Sequence, residues 1–164
     1  MNVELYQTAS EIHTACRSAI AQAPHAYPPD LPSRPELLGA PDWYPFEHAV
    51  WPIGERIRQS FKTHPKLKMD LSVVDAVVEV VECINLRRGR QSFVMALGFS
   101  AASPVAGRIA RFLSDADIDG QVLDTLLKMR TSHFVTEVAP LTDAKKAWVR
   151  NLAKKYMTRY AAAA

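Results

Sequence analysis

The sequence predicts an all-α protein built as a stack of antiparallel helical hairpins, and three observations predict it. First, apolar segments ending near Leu86, Leu113 and Leu141 recur at intervals of 27 and 28 residues. Each is followed by a polar turn and then a second apolar segment, near Phe93-Val94, Val122-Leu123 and Trp148-Val149. Such a period marks helical pairs that are each too small to bury their own apolar face without neighbours. Second, the stretch 71–84 is rich in valine, which favours a strand by propensity. Its charges Asp75, Glu79 and Glu82 nevertheless fall at steps of four and three, so they share one helical stripe on an otherwise apolar cylinder. Third, helix punctuation is regular: Gly98 closes a short helix, Ser103-Pro104 opens the next, and 115–120 forms a turn.

Residues 1–22 predict an amphipathic helix from about Val3, with Leu5, Ala9, Ile12, Cys16 and Ala19/Ile20 on one stripe, stopping before Pro24. The segment 23–45 holds seven of the chain's 11 prolines along with Gly39. Proline removes a donor and restricts its predecessor, so this is an extended connector, and connectors of that length are functional or mobile. Residues 46–62 predict an aromatic-rich capping helix, with Asp42 as its N-cap and Pro52 as a kink. Trp43, Tyr44, Phe46 and Trp51 leave two readings open: anchors that seal the end of the stack, or a platform for a ligand or a base. Residues 70–160 predict the helical pairs. Ser72 with Asp75 resembles a capping box, Gly89 is the expected stop of the valine-rich helix, and Ser132 and Thr142 are expected caps. The last helix carries Trp148, Val149, Leu152, Ala153, Tyr156 and Tyr160 on its apolar side. Lys145, Lys146, Arg150, Lys154, Lys155 and Arg159 take the other side, and Ala161–Ala164 is given no role.

Composition bounds the class. With 164 residues, 48% of them apolar, the chain suits a single soluble domain able to bury roughly 70% of its unfolded surface. No apolar run approaches the ~18 residues of a membrane span, and the start Met1-Asn2-Val3-Glu4-Leu5 lacks the form of a signal peptide. The expected location is cytoplasmic. Cys16 and Cys83 fit two buried free thiols in a reducing cytosol better than they fit one disulfide. A net charge of +3 is too small to indicate nucleic acid unless the basic residues share a face.

The run Val138-Ala139-Pro140-Leu141-Thr142-Asp143, continued by Trp148-Val149-Arg150-Asn151-Leu152-Ala153, resembles a HEAT-repeat unit. In that family an apolar helix ends before an Asp, a Val-Arg pair opens the second helix, and a small residue follows where the helices cross. Asp143, Val149, Arg150 and Ala153 occupy those places. The resemblance implies a right-handed α-α superhelix with an atypical N-terminal cap, and it places Asp143 and Arg150 in a hydrogen-bond ladder between repeats. The preceding unit keeps Asp115 and Val122 but has Leu123 in place of the Arg, and the one before it lacks the Asp.

Few residue clusters suggest chemistry. Asp115, Asp117, Asp119 and Gly120 reproduce the opening of a calcium loop, but position twelve is Leu126, so the bidentate acid is missing. An Asp-rich turn with Asp117 capping the next helix is the simpler reading. His13 and Cys16 share a helical face, while His25, His48, His64, His133 and Cys83 are scattered without ligand spacing. No cofactor or metal is expected, and no phosphate loop or nucleophile elbow occurs.

In a HEAT-like stack the second helices line one surface. Arg87, Arg88, Arg90, Gln91, Gln121, Asp124, Lys128, Arg150, Asn151 and Lys155 would form a mixed-polarity strip there. That strip could be plain solvated surface, a protein-binding face or a phosphate-binding groove. The expected function is a non-catalytic protein-interaction module (an adaptor, a regulator or an immunity-type inhibitor) whose partner has an acidic surface and which has no membrane role. The alternative is nucleic-acid binding resembling the alkylpurine DNA glycosylases built from HEAT-like repeats, with Trp43, Trp51, Trp148 and Asp124 as its candidates.

Overall fold

The computed structural model describes residues 4–37 and 41–161. The expected start at Val3, Gly39 of the connector, and residues 162–164 lie outside the described residues. Among the described residues the chain is all-helical, with eight α-helices joined by short 3-10 turns and no strand. The helices are α1 (Ala9–Ile20), α2 (Pro45–Thr63), α3 (Leu71–Glu82), α4 (Gln91–Ala96), α5 (Ala106–Ala110), α6 (Asp119–Met129), α7 (Val135–Val138) and α8 (Ala147–Tyr160).

Helix α1 begins later than its apolar stripe suggests. A capping box fixes the start: Thr8 Oγ1 accepts from Glu11 N, while Glu11 Oε2 accepts from the backbone of Thr8. Asp42 does not cap α2. Its Oδ1 accepts from Trp43 N, the N-cap is Tyr44, and Glu47 accepts the Tyr44 N–H at 2.7 Å. Pro45 takes the first helical position, and the helix runs through Pro52 without ending.

The valine-rich segment is a helix, α3, and seven of its 12 residues are buried. Asp70 caps it, not Ser72. It ends at Glu82, ahead of Gly89, because a 3-10 segment Ile84–Arg90 intervenes. On the outer stripe Arg108 bridges Asp75 and Glu82, and Arg111 also reaches Glu82. Ser132 and Thr142 do not cap helices either: the N-caps of α7 and α8 are Phe134 and Lys146.

Each helix packs on its chain partner, α1 on α2, α3 on α4, α5 on α6 and α7 on α8. The even-numbered helices also touch in succession, α2 to α4 to α6 to α8, while α1 touches α3 and α3 touches α5. The α2–α4 crossing is close because Gly54 sits in it. A Cβ there would lie 2.3 Å from Ser92 Oγ and 2.7 Å from the Phe93 ring. One apolar core runs through all these layers, from Ile12 and Ile57 through Val77, Phe93 and Leu123 to Ala153 and Tyr156.

Candidate functional site

The proline-rich connector is bound down. Proline carbonyls keep their acceptor while the imide nitrogen offers no donor, so an extended proline segment needs donors from elsewhere. Arginine supplies them. Arg87 gives all five of its N–H groups: Nε and Nη2 to the two oxygens of Asp117 at 3.1 Å each, Nη1 to Pro28 O and Pro29 O, and Nη2 also to Asp30. Arg88 binds Glu47 with Nε and Nη2 and reaches Pro41 O and Asp42 O. Tyr44 Oη donates to Pro29 O at 2.8 Å, Asn85 Nδ2 to Pro24 O at 2.9 Å, and Tyr27 Oη to Asp117 at 2.9 Å. Guanidinium planes lie over rings as well, Arg87 on Tyr27 and Arg88 on Trp43 at about 5 Å. The segment is a strap, and Tyr44 and Trp43 of the aromatic cluster are part of its anchorage.

Electrostatics follow the geometry. Burial works to raise the Asp117 carboxyl, but the bonds from Arg87 and Tyr27 outweigh it and hold its pKa below the usual carboxylate range. Burial similarly works to lower the Arg87 pKa, and Asp117 and Asp30 reverse that and raise it. Burial and the bond to Asp117 together push the Tyr27 phenol up. Arg87 has φ 49° and ψ −127°, a conformation that L-residues avoid. Its five bonds hold it there.

The predicted strip therefore divides. Arg87 and Arg90 are buried, 4% and 0% exposed, so neither belongs to a surface that a partner could touch. Arg90 bonds Arg87 O, Val81 O and Asp115. Arg88 has its side chain 11% exposed and is spent on buried Glu47. The physical reason is the same for all three: their charges neutralise internal carboxylates and satisfy backbone oxygens. Arg150 donates to Ala144 O at 2.7 Å, a contact within its own helical pair. Lys128 is exposed, pairs with Asp124 and lines a separate hollow with Arg58, Lys62 and Lys68. Gln91 is half-buried and gives one amide hydrogen to Asp117 O.

The rest of the strip does come together. Gln121, Asp124, Asn151 and Lys155 line an open cleft of about 500 Å³ with Met95, Trp148 and Leu152. Trp148 was expected on the inward side of α8, yet it is 45% exposed. Its indole covers Gly120, where a Cβ would fall 1.9 Å from the ring. Gly120 is the signal of this contact available in the sequence, since any side chain there would meet the ring. A second cavity, about 390 Å³, adjoins the cleft through Gln121 and Trp148 and is lined by Trp43, Gln91, Lys146 and the strap's Asp30 and Pro41. Of the glycosylase-like candidates, Trp43 and Trp148 share this cavity, Asp124 lies in the neighbouring cleft, and Trp51 lines neither.

The calcium-like turn is explained by cations of the chain itself. Asp115 pairs with Arg90, Asp117 with Arg87 and Asp119 with Lys146. Asp117 does not cap α6, whose N-cap is Ile118. His13 Nε2 lies 3.1 Å from Ser72 Oγ, and Cys16 and Cys83 are free thiols. No group of three or more His, Cys, Asp or Glu side chains among the described residues is placed to hold a metal ion. No helix among the described residues is long and apolar enough to cross a membrane.

A scan against family models, a search of curated proteins and a search of solved structures each return no match.

Proposed function

We propose that this protein is a non-catalytic interaction module that binds another protein across the face formed by α4, α6 and α8. In this reading the helix pairs from α3 onward are HEAT-like repeats forming a right-handed superhelix, and α1 and α2 are its cap. The succession of contacts α2–α4–α6–α8, with α1–α3–α5 behind it, supports that arrangement. The observation that carries the function is the cleft holding Trp148. A half-exposed indole, pre-positioned on Gly120 and ringed by Gln121, Asp124, Asn151 and Lys155, has the make-up of an interface hot spot: a rigid aromatic with a polar rim. Met95 and Leu152 supply the apolar floor. An adaptor, a regulator and an immunity-type inhibitor would all work in this way.

The test is partner capture with Trp148→Ala and, separately, Lys155→Glu, both on side chains that face outward. Each should weaken capture at least about tenfold, roughly 1.4 kcal/mol. Unchanged capture by both variants would rule out this face. Charge reversal at Arg87, Arg88 or Arg90 is unsuited to the test, because it would break the strap.

The second reading, nucleic-acid binding, draws support from Trp43 and Trp148 lining one cavity. Against it, the cations of that cavity are spent: Arg87 on Asp117 and Asp30, Arg88 on Glu47, Lys146 on Asp119. Affinity for duplex DNA that falls steeply with salt would promote this reading.

A further inference from the structure

Arg87, Arg88 and Arg90 are committed to carboxylates inside the fold, so an acidic partner must find its cations elsewhere. They occur beside the Trp148 cleft. Arg58 and Lys62 of α2, Lys68 of the 3-10 turn Leu67–Met69 and Lys128 of α6 line a hollow of about 250 Å³, and no residue of its wall is acidic. Phe61 and Phe99 give it an apolar floor. The negative ends of α2 and α6 favour lysine at 62 and 128, but they do not call for Arg58 and Lys68 around the same hollow.

Three of the four cations are held in position. Arg58 Nε and Nη2 donate to the two oxygens of Glu55 at 2.8 and 2.6 Å. Lys128 pairs with Asp124, and its stem lies over Gly98, where a Cβ would come 3.0 Å from Lys128 Cδ. Lys68 Nζ stands 5.6 Å from the centroid of the Phe99 ring. Lys62 and Lys68 form no ion pair among the described residues, so Glu55 and Asp124 leave two of the four charges unmatched. Like charges gathered around a concave surface raise the local potential and draw an anion.

This hollow continues into the cleft. Met95 lines both, and Gln121 and Trp148 in turn line both the cleft and the cavity that holds Trp43. The three form one groove whose character changes along its length. One end is cationic, the middle is an exposed indole with Met95 and Leu152, and the far end is bounded by the strap. Asp124 stands in the middle, and Asp30, its side chain 70% exposed, stands at the far end. A uniformly charged polyanion such as a nucleic acid would run over both carboxylates. A polypeptide that is acidic at one end and apolar beyond it would not.

We infer that the partner enters this groove as a linear segment, with a cluster of carboxylates in the hollow of Arg58, Lys62, Lys68 and Lys128 and its adjoining apolar residues on Trp148. The inference rests on the proposed protein-binding face and adds the form and polarity of what binds there. Grooves that take linear segments gain affinity from successive side-chain pockets, and here the cationic pocket sets the direction of the chain.

The experiment is an NMR titration of the full chain with synthetic peptides. The composite probe joins four glutamates, two glycines and a leucine-proline-leucine-proline run, and it is made in both block orders. One control replaces the glutamates by glutamine, another replaces the apolar run by serine, and a twelve-base-pair DNA duplex is the comparison polyanion. The backbone amide of Gly98 reports on the hollow and the indole N–H of Trp148 on the cleft. One block order should shift both signals and bind about tenfold more tightly than either control peptide. Lys62→Glu combined with Lys68→Glu should bring its affinity down to that of the glutamine control. Trp148→Ala should bring it down to that of the serine control. Because Lys68 also packs on Phe99, the exposed Lys62→Glu is measured alone as well and should weaken binding a few fold. Added salt should weaken the composite peptide and spare the glutamine control. The inference is overturned if neither block order shifts the Gly98 amide, if the double reversal binds as tightly as the unaltered protein, or if the duplex binds more tightly than the composite peptide. Loss in Trp148→Ala with unchanged binding in the lysine variants removes the hollow and leaves the Trp148 face standing. The opposite pattern removes that face, and the inference with it.

Discussion

Arg87→Met removes the whole clamp at one point, and the structure sets the size of the effect. Asp117 is 8% exposed, and Arg87 contributes two of its hydrogen bonds. Taking away one member of a buried pair leaves an uncompensated charge, at a cost of about 3–5 kcal/mol. The pair with Asp30 adds little, because that carboxylate is 70% exposed and screened by water. Methionine brings no relief of the backbone at φ 49°, so nothing offsets the loss. Against a total stability of about 5–15 kcal/mol for a domain, this is a large fraction. In a chain of this size each kcal/mol moves Tm by about 2–4 °C, so the expected fall is about 6–20 °C.

Two further variants separate charge from strain. Arg87→Gly loses the same bonds but accepts a positive φ without cost, so it should be less damaging than Arg87→Met by about 1–3 kcal/mol. Arg87→Met combined with Asp117→Leu deletes the orphaned carboxylate and should recover part of the loss, a non-additivity expected of direct partners. Thermal unfolding followed by circular dichroism reads all three. Limited proteolysis should cut first within 24–45 in Arg87→Met, because the strap loses the donors that hold Pro28, Pro29 and Asp30. A Tm within about 2 °C of the parent, with the strap equally resistant, would refute the view that these arginines are internal clamps.

Four other outcomes follow from the packing and the buried ionisable groups. Gly54→Ala should destabilise by about 1–3 kcal/mol in chemical denaturation, since its Cβ would be driven into Ser92 and Phe93 at the α2–α4 crossing. The hydrogen bonds from Arg108 to Glu82 and from Arg87 to Asp117 hold both carboxyls below their unfolded values. Their contribution is complete above the unfolded carboxylate range of about 4 and lost as pH falls through the lower folded values, so acid titration should unfold the protein below about pH 4. Tyr27 runs the other way: its folded pKa is raised, so its share persists below the unfolded value near 10 and disappears as pH climbs past it. Cys16 is buried and its thiol pushed up to about 12, so iodoacetamide at pH 8 should leave it unmodified in the native protein and alkylate it after unfolding.

How much of this was legible in the sequence depends on the range of the interaction concerned. The helical class and the helix assignment of α3 were legible because periodicity is local: Asp75, Glu79 and Glu82 fix an outer stripe whatever packs on the other side. Gln121, Asp124, Asn151 and Lys155, which the sequence places on one strip, line one cleft, because residues three or four apart on α6 and on α8 share a helix face. Helix ends were less legible: Ser72, Ser132 and Thr142 have capping side chains, but Asp70, Phe134 and Lys146 hold the positions. The three arginines are not legible locally, for a stronger reason. Arg87 finds Asp117 30 residues ahead and Asp30 57 residues behind, separations at which no spacing rule operates. Yet the sequence held an indirect sign. A long proline-rich segment that is to lie against a folded body must obtain donors for its carbonyls, and Arg87 and Arg88 are adjacent five-donor side chains. Likewise the three aspartates of 115–119 need cations, and with the calcium set incomplete at Leu126, nearby arginine and lysine were the remaining source. Matching unsatisfied donors to unsatisfied acceptors along the whole chain places Arg87 and Arg90 inside the fold, where these aspartates and the proline carbonyls need them.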